Sequence, residues 1–207
     1  MQARTICQGK SMRPRRLTFT LVATLLAGAA QAAECPTAAT AEKGFMLLQV
    51  DTQSEFRKHY GPIVKITNRY GSPAGQTVFS YRGLIDLSRM GAGSQQALYA
   101  LSDLKNLFPL KKGARHEISF VPLNPDEPVN TQWSFELDVT GQETFKLENC
   151  KYKVWKVRQT TKKGDEQVDV WSALYSPDLE ATLAKIYDEG TANEYIVRYE
   201  RIRRLQQ

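Results

Sequence analysis

The residue types most suited to chemistry in this sequence are aromatic, and they suit ligand binding rather than catalysis. Seven aromatic side chains fall between positions 133 and 175: Trp133, Phe135, Phe145, Tyr152, Trp155, Trp171 and Tyr175. Aromatic residues on a curved sheet can line an apolar cavity, or they can fill a closed core through cross-strand pairs. The composition leaves both interpretations open. If a cavity forms, its candidate lining residues are Trp133, Phe135, Trp155, Trp171, Leu98 and Leu101.

Residue patterns typical of enzymes are missing from the sequence. The histidines, His59 and His116, are far apart, and no Gly-x-Ser-x-Gly segment presents a nucleophilic serine. Neither Cys-x-x-Cys nor a paired-histidine spacing indicates a metal site. Gly91 and Gly93 resemble the start of a dinucleotide-binding loop, but position 96 is a glutamine where a small residue is needed. We therefore predict no catalytic site, cofactor or metal, and interpret the two glycines as a hinge.

The first 33 residues have the pattern of a secretory signal peptide. Basic residues up to Arg16 precede an apolar run over 17–30, and Ala-Gln-Ala-Ala follows at 30–33. The run is shorter than the ~20 residues of a membrane-spanning helix. We expect a leader over 1–33, a single domain over 34–207 without a transmembrane segment, and a periplasmic or secreted location.

The leader pattern also bears on the export route and on a lipid anchor. Arg15-Arg16 is compatible with a twin-arginine signal, but Phe19 stands one place later than that signal has it. An ordinary basic n-region is therefore favoured. Glu34 precedes Cys35 where bacterial lipoproteins have a small residue, which argues against a lipid anchor.

The net charge of the chain depends on this leader. The whole sequence carries +6, and positions 1–33 contain five basic residues and no acidic one, so 34–207 carries +1. Such a charge gives no reason to expect nucleic-acid binding. The remaining basic cluster is Arg198, Arg201, Arg203 and Arg204, either a solvated strand face or a contact for an anionic surface.

The number and positions of the cysteines are consistent with export. Cys7 lies in the leader, which leaves Cys35 and Cys150. A pair of cysteines in an oxidising compartment predicts a disulfide, worth about 4 to 5 kcal/mol for a loop of this length. The alternative is two separate thiols.

Alternating apolar and polar residues predict antiparallel strands over much of the chain. The clearest is 133–140, followed by 144–148, 150–161 and 166–175, and further strands are predicted at 44–50, 62–70, 76–87, 116–123 and 195–202. The apolar side changes between Val154 and Trp155, so this strand is covered on both faces or a bulge intervenes.

One segment has helical spacing. Leu98, Leu101, Leu104 and Leu107 recur every third residue, with Ser94 as N-cap and Pro109 as stop. The predicted fold is mainly β: an antiparallel curved sheet, or an open barrel-like sheet, with one short helix covering it.

Three short motifs resemble a group of uncharacterised bacterial periplasmic β-rich envelope proteins. They are a Pro-Leu-x-x-Gly step at 109–113, a strand–cysteine–strand unit over 144–157 and a Tyr-Ser-Pro-Asp-Leu corner at 175–179. The resemblance covers the second half of the chain. It implies an open curved sheet, and a strand rather than a helix over 180–187. Ser176, Pro177 and Gly190 instead frame a helix there, and both alternatives stay open.

These patterns favour a non-catalytic binding or carrier protein for an apolar or lipid-like ligand. The alternative is a structural or protein-interaction component of the envelope that uses a sheet edge or the basic tail. In a carrier, the 98–107 helix would serve as a lid pivoting on Gly91 and Gly93. In a packed core, the same leucines would plug the sheet.

Overall fold

The computed structural model describes residues 35–71, 75–91, 93–123 and 132–205. The predicted leader over 1–33 lies outside these residues. The described part contains one α-helix, α1 (Ala38–Ala41), a 3₁₀ helix (Leu104–Leu107) and thirteen strands. The strands are β1 (Phe45–Gln49), β2 (Thr52–Tyr60), β3 (Ile63–Tyr70), β4 (Gln76–Tyr81), β5 (Ile85–Gly91), β6 (Ser94–Ala100), β7 (Arg115–Pro122), β8 (Trp133–Leu147), β9 (Cys150–Lys163), β10 (Glu166–Ser176), β11 (Ala181–Tyr187), β12 (Tyr195–Arg198) and β13 (Arg201–Arg204).

All thirteen strands form one antiparallel sheet that is not closed. Each strand pairs with its neighbours in sequence, except that β1 pairs with β13, so the sheet ends at β12 and β13. Only Tyr199 and Glu200 connect these two end strands. Three residue steps span at most about 11 Å, so the sheet must curl until its ends approach each other. The predicted antiparallel, curved and open sheet is confirmed.

The connection between the end strands forms a hydrogen bond with the strand next to each of them. The Tyr199 N–H donates to the Leu183 carbonyl over 3.1 Å, and the Glu200 N–H donates to the Leu48 carbonyl over 2.8 Å. The first bond extends β12 along β11, and the second extends β13 along β1. One short segment therefore holds the curled sheet together.

Buried side chains form two clusters. The first contains Phe45, Leu47, Phe56, Leu147, Leu183 and Ile202, among others. The second contains Tyr81, Ile85, Ile118, Phe120, Leu137, Val139, Val157 and Tyr175, among others. Both follow from the period-2 alternation, which places every second side chain on the same face of a strand.

The structure shows the predicted change of buried face along β9, and this change coincides with a β-bulge in the neighbouring strand β8. Val154 belongs to the first cluster and Val157 to the second. In β8, the pairing register shifts between Val139 and Gly141, which leaves Thr140 as the extra residue. A bulge of this kind bends the strands and redirects side chains, so the hairpin contributes to both clusters.

The helix predicted over 98–107 is wrong. Leu98 belongs to β6, Leu101 lies in a turn, and the 3₁₀ helix buries Leu104 and Leu107. A three-residue spacing suits a 3₁₀ turn as well as an α-helix, and pairing with β5 and β7 holds the first leucine in a strand. Among the described residues, the single short α-helix is α1 instead, and residues 98–107 do not form a helical lid.

The predicted glycine hinge is also wrong. Gly91 ends β5 and Gly93 precedes β6, both with positive φ, so they belong to the turn of a hairpin. A Cβ at Gly91 would lie 2.4 Å from the Gly75 carbonyl oxygen. The glycine permits close approach to the neighbouring strand rather than pivoting.

The segment over 180–187 is a strand from Ala181 onward, as the resemblance implies, and the alternative helix is wrong. β11 pairs with β10 on one side and β12 on the other. Ser176 accepts a hydrogen bond from the Leu179 N–H at 3.4 Å, which caps a turn and not a helix. Glu180 then takes a left-handed conformation at φ 47° and redirects the chain into β11.

The Cys35–Cys150 disulfide is present, so the alternative of two separate thiols is wrong. It attaches the segment before α1 to the first residue of β9. The Tyr152 hydroxyl also donates to the Pro36 carbonyl over 3.2 Å. Among the described residues, no helix has the length and apolar character needed to cross a membrane.

Candidate functional site

A cavity of about 740 Å³ lies on one face of the curled sheet. Strands β2 to β4 supply alternate residues to its wall: Thr52, Ser54 and Phe56, then Ile66, Asn68 and Tyr70, then Gln76 and Val78. This is the period-2 pattern of one sheet face. The cavity is therefore built by the curvature of the sheet and needs no covering helix.

The strand register arranges these side chains into rows. Phe56 pairs with Ile66 and Ile66 with Val78, which makes an apolar row across β2, β3 and β4. Ser54 pairs with Asn68 and Asn68 with Gln76, which makes a polar row directly beside it. The wall is thus amphipathic, with an apolar strip and a hydrogen-bonding strip side by side.

The polar row is tied together by hydrogen bonds. The Tyr199 hydroxyl donates to Ser54 Oγ and Ser54 Oγ donates to Asn68 Oδ1, each over 2.7 Å. Asn68 Nδ2 and the Tyr70 hydroxyl both donate to Gln76 Oε1, over 3.4 and 3.2 Å. Burial raises the pKa of Tyr199 although the bond to Ser54 acts in the opposite direction. The network therefore keeps these polar side chains in fixed positions.

Of the residues predicted to line an apolar pocket, the structure brings four to this cavity: Trp133, Phe135, Trp171 and Leu98. Trp155 does not reach it. It packs against the second cluster, beyond the point where the buried side of β9 changes. Leu101 is 57% exposed in its turn and lies outside the cavity lining.

The cavity wall is more polar than the sequence predicts. Its charged residues are Asp86, Arg89, Asp169, Lys185 and Arg198. Arg89 Nη2 donates a hydrogen bond to Asp86 Oδ2 over 2.7 Å and forms an ion pair with it. Burial alone would lower the pKa of Arg89, but Asp86 raises it overall. Asp86 and Arg89 lie in β5, whereas the other three lie in β10, β11 and β12. Their proximity therefore depends on strand register, which the sequence pattern does not show.

Lys185 reaches the cavity because of a β-bulge. The pairing of β11 with β10 runs from Ala184 opposite Leu174 to Thr182 opposite Tyr175, so Leu183 is the extra residue. Thr182, Lys185 and Tyr187 then line the cavity, while Leu183 and Ile186 are buried in the first cluster. The bulge therefore places the lysine three residues from Thr182 on the same wall.

The Lys185 amine lies over an aromatic face. Its Nζ is 4.8 Å from the centroid of the Trp171 ring, a cation–π distance. Burial lowers the pKa of Lys185, Asp86 and Asp169 raise it, Arg89 lowers it, and the net shift is downward. Within the described part of the chain, Nζ has no hydrogen bond or ion pair. The buried indole N–H groups of Trp133 and Trp171 likewise find no acceptor there.

The histidines lie outside the cavity, and of the basic cluster only Arg198 lines it. The His59 ring contacts the Phe79 ring at 5.1 Å, and neither His59 nor His116 lines the cavity. Arg198 lies over the Phe145 ring and donates to the Lys146 carbonyl, and Arg203 pairs with Glu148. These arginines attach the C-terminal strands to the β8–β9 hairpin. In the described ranges, no group of three or more His, Cys, Asp or Glu side chains is placed to hold a metal ion.

Comparison with known proteins yields little. No protein-family model matches the chain, and no curated protein matches it. Among solved structures, the chain is similar to the crystal structure of the hypothetical lipoprotein YmcC from Escherichia coli K12. The sequence identity is 9% and the TM-score 0.48, over 79% of this chain and 88% of that chain. A likeness at this level assigns neither a shared fold nor a function.

Proposed function

We propose that this protein is a non-catalytic binding or carrier protein of the cell envelope, and that it holds an amphipathic ligand in the cavity of the curled sheet. The observation that carries the proposal is the apolar row Phe56–Ile66–Val78 beside the polar row Ser54–Asn68–Gln76. Ligand sites typically combine an apolar wall with a few fixed polar groups. The ligand we infer is therefore amphipathic, which narrows the apolar or lipid-like class that the sequence favours.

The size of the cavity supports this assignment. Its volume of about 740 Å³ lies within the roughly 300–1,000 Å³ that is usual for small-molecule sites. Trp133, Phe135 and Trp171 add aromatic surface to the apolar side of the wall. A closed core would fill such a space with side chains, because protein interiors are packed as densely as organic crystals.

The envelope location is part of the proposal. Its supports are the Cys35–Cys150 disulfide, which persists in oxidising compartments, and the leader-like pattern over 1–33.

A pair of adjacent glutamines offers a sharp test of the cavity. Gln96 lines the cavity opposite Arg89, and Gln95 is exposed on the other face of β6 opposite Met90. Gln96→Phe places a ring in the cavity, and Gln95→Phe adds the same ring outside it. We expect the uncharged dye Nile red to bind the wild type and Gln95→Phe, with at least roughly tenfold weaker binding to Gln96→Phe. Equal binding by all three, or no binding by the wild type, would contradict the proposal.

A second candidate function, protein interaction through a sheet edge, is favoured by one observation. Strand β12 is one of the two end strands of the sheet, and Tyr195, Ile196 and Val197 are all exposed on it. Exposed strand edges are templates for pairing with another chain. Ile196→Lys should then abolish capture of an envelope protein without altering Nile red binding. Leu123→Lys, at an exposed position elsewhere, is the control, and capture that survives Ile196→Lys argues against this role.

A further inference from the structure

We propose that Lys185 receives the anionic head group of the bound amphiphile, whose apolar part lies on the Phe56–Ile66–Val78 row. This assignment of a ligand class rests on the binding function proposed above and deepens it.

The charges of the cavity wall single out this lysine. Among the described residues, the lining contains three cations, Arg89, Lys185 and Arg198, and two carboxylates, Asp86 and Asp169. Asp86 is engaged by Arg89, and Arg198 is held over Phe145 and against the Lys146 carbonyl. Lys185 is the lining cation that makes no hydrogen bond or ion pair with any described residue. It therefore retains three donors for a ligand.

Asp169 is the lining carboxylate that competes most directly with a ligand anion, because Asp86 is already paired with Arg89. It lines the same wall and interacts electrostatically with Lys185, and so does Asp86. Neither carboxylate is within ion-pair distance of Nζ among the described contacts. The downward pKa shift agrees with a buried ammonium that its neighbours compensate incompletely. An anionic ligand oxygen would supply the missing partner.

The surroundings of the lysine also suit an acceptor-rich head group. Trp171, whose ring lies beneath Nζ, has a buried indole N–H without an acceptor in the described part of the chain. Buried donors in native proteins are nearly always satisfied. A carboxylate or phosphate presents several acceptor oxygens, so one head group could serve more than one donor.

The charges around the lysine indicate the orientation of the ligand on the apolar row. Arg89 pairs directly with Val78, at the β5 end of the row, and it interacts electrostatically with Lys185. The anionic head group therefore lies at the Val78–Arg89 end, and the apolar chain runs from there along Ile66 towards Phe56.

The test compares matched amphiphiles by displacement of Nile red. Palmitate and hexadecyl phosphate carry an anionic head on the same chain length, and hexadecanol carries an uncharged one. Inorganic phosphate tests the anion alone. A charge-assisted hydrogen bond predicts that the wild type binds at least one anionic amphiphile roughly tenfold to hundredfold tighter than hexadecanol. The stronger of the two anions identifies carboxylate or phosphate as the head group.

Three variants locate the preference. Lys185→Met keeps the aliphatic chain over Trp171 without the charge, and it should abolish the anion preference while leaving hexadecanol binding unchanged. Lys185→Arg should keep the preference. Lys156→Met removes a lysine that is paired with Glu189 outside the cavity. It should leave both the anion preference and hexadecanol binding unchanged.

Several results would overturn the assignment. A wild type that binds hexadecanol as tightly as both anionic amphiphiles contradicts the head-group assignment and leaves the binding function standing. An anion preference that survives Lys185→Met also contradicts the head-group assignment and leaves the binding function standing. Inorganic phosphate binding as tight as that of hexadecyl phosphate indicates a free-anion site and contradicts the amphiphile. If Nile red and all amphiphiles fail to bind, the proposed function itself falls together with this inference.

Discussion

The Tyr199 hydroxyl donates a hydrogen bond to Ser54 Oγ over 2.7 Å, and this bond attaches the link between the two ends of the sheet to the cavity wall. Tyr199 lies between β12 and β13, and Ser54 is fully buried in β2. The same Ser54 Oγ donates onward to Asn68. One side-chain contact thus connects the link between the end strands to the polar row of the cavity wall.

Removal of this hydroxyl should weaken the fold. Tyr199→Phe keeps the ring but leaves Ser54 without its donor, so we expect a loss of about 1 to 2 kcal/mol of unfolding free energy in urea denaturation. Tyr195→Phe, on the exposed part of β12, is the control and should fall within about 0.5 kcal/mol of the wild type. Equal stability of the two variants would show that the Tyr199–Ser54 bond does not hold the link.

Gly83 should tolerate no side chain. A Cβ there would lie 1.7 Å from the Glu180 carbonyl oxygen, which belongs to the backbone and cannot move aside easily. Gly83→Ala is expected to cost about 4 kcal/mol or more. Gly164 has a similar φ of 59° with no atom within 4 Å of its Cβ position. Gly164→Ala therefore isolates the conformational cost, about 1 to 2 kcal/mol, and similar losses in both variants would contradict the close approach of Gly83 to Glu180.

The two leucines of the rejected lid should respond differently to a charge. Leu101 is 57% exposed, and Leu107 is only 3% exposed in the 3₁₀ helix. Leu101→Asp is expected to change the unfolding free energy by no more than about 0.5 kcal/mol. Leu107→Asp buries an unpaired carboxylate and should cost several kcal/mol. If thermal or urea denaturation showed a large loss of unfolding free energy in Leu101→Asp, this segment would have to cover the sheet after all.

Alkaline pH should unfold the protein through its buried tyrosines. Burial raises the pKa of Tyr152 from 10.0 to about 12, and Arg204 lowers it only partly. Burial also raises the pKa of Tyr175 and Tyr199. Since the folded state favours the neutral phenol, its contribution to stability is complete below the unfolded value near 10. It is then lost as the pH rises towards 12.

Urea denaturation across this alkaline range checks the prediction. The unfolding free energy of the wild type should fall with rising pH, and Tyr152→Phe should show a shallower fall. Tyr60→Phe, at a position 83% exposed, should follow the wild type. A Tyr152→Phe variant with an unchanged pH slope would show that this phenol is not linked to folding.

The fold was predictable where the pattern was local. Alternation from Trp133 to Val139 and the turn at Gly164 both predict the central hairpins correctly, because a period of two identifies a half-buried strand. Leu98 was wrongly assigned to a helix because a spacing of three residues fits a 3₁₀ turn and an α-helix alike. Pairing with β7, a contact distant in sequence, decided its conformation.

The cavity was predictable only in part. Trp133, Phe135 and Trp171 fall on its wall because alternation places them on the same face as the apolar row. Lys185 could not be assigned, since the bulge at Leu183 shifts the alternation by one residue and the sequence carries no sign of it. The polar row likewise arises from the register of three strands, which pattern analysis does not supply.

Native mass spectrometry of the protein purified from its own cells tests the central claim, that the curled sheet holds an amphipathic ligand. We expect the wild type to carry one small amphiphile that dissociates on activation. Gln95→Phe should carry it too, and Gln96→Phe should have the mass of the polypeptide alone. A wild-type protein that retains no small molecule, and that gains none when incubated with palmitate, hexadecyl phosphate or hexadecanol, would contradict the account.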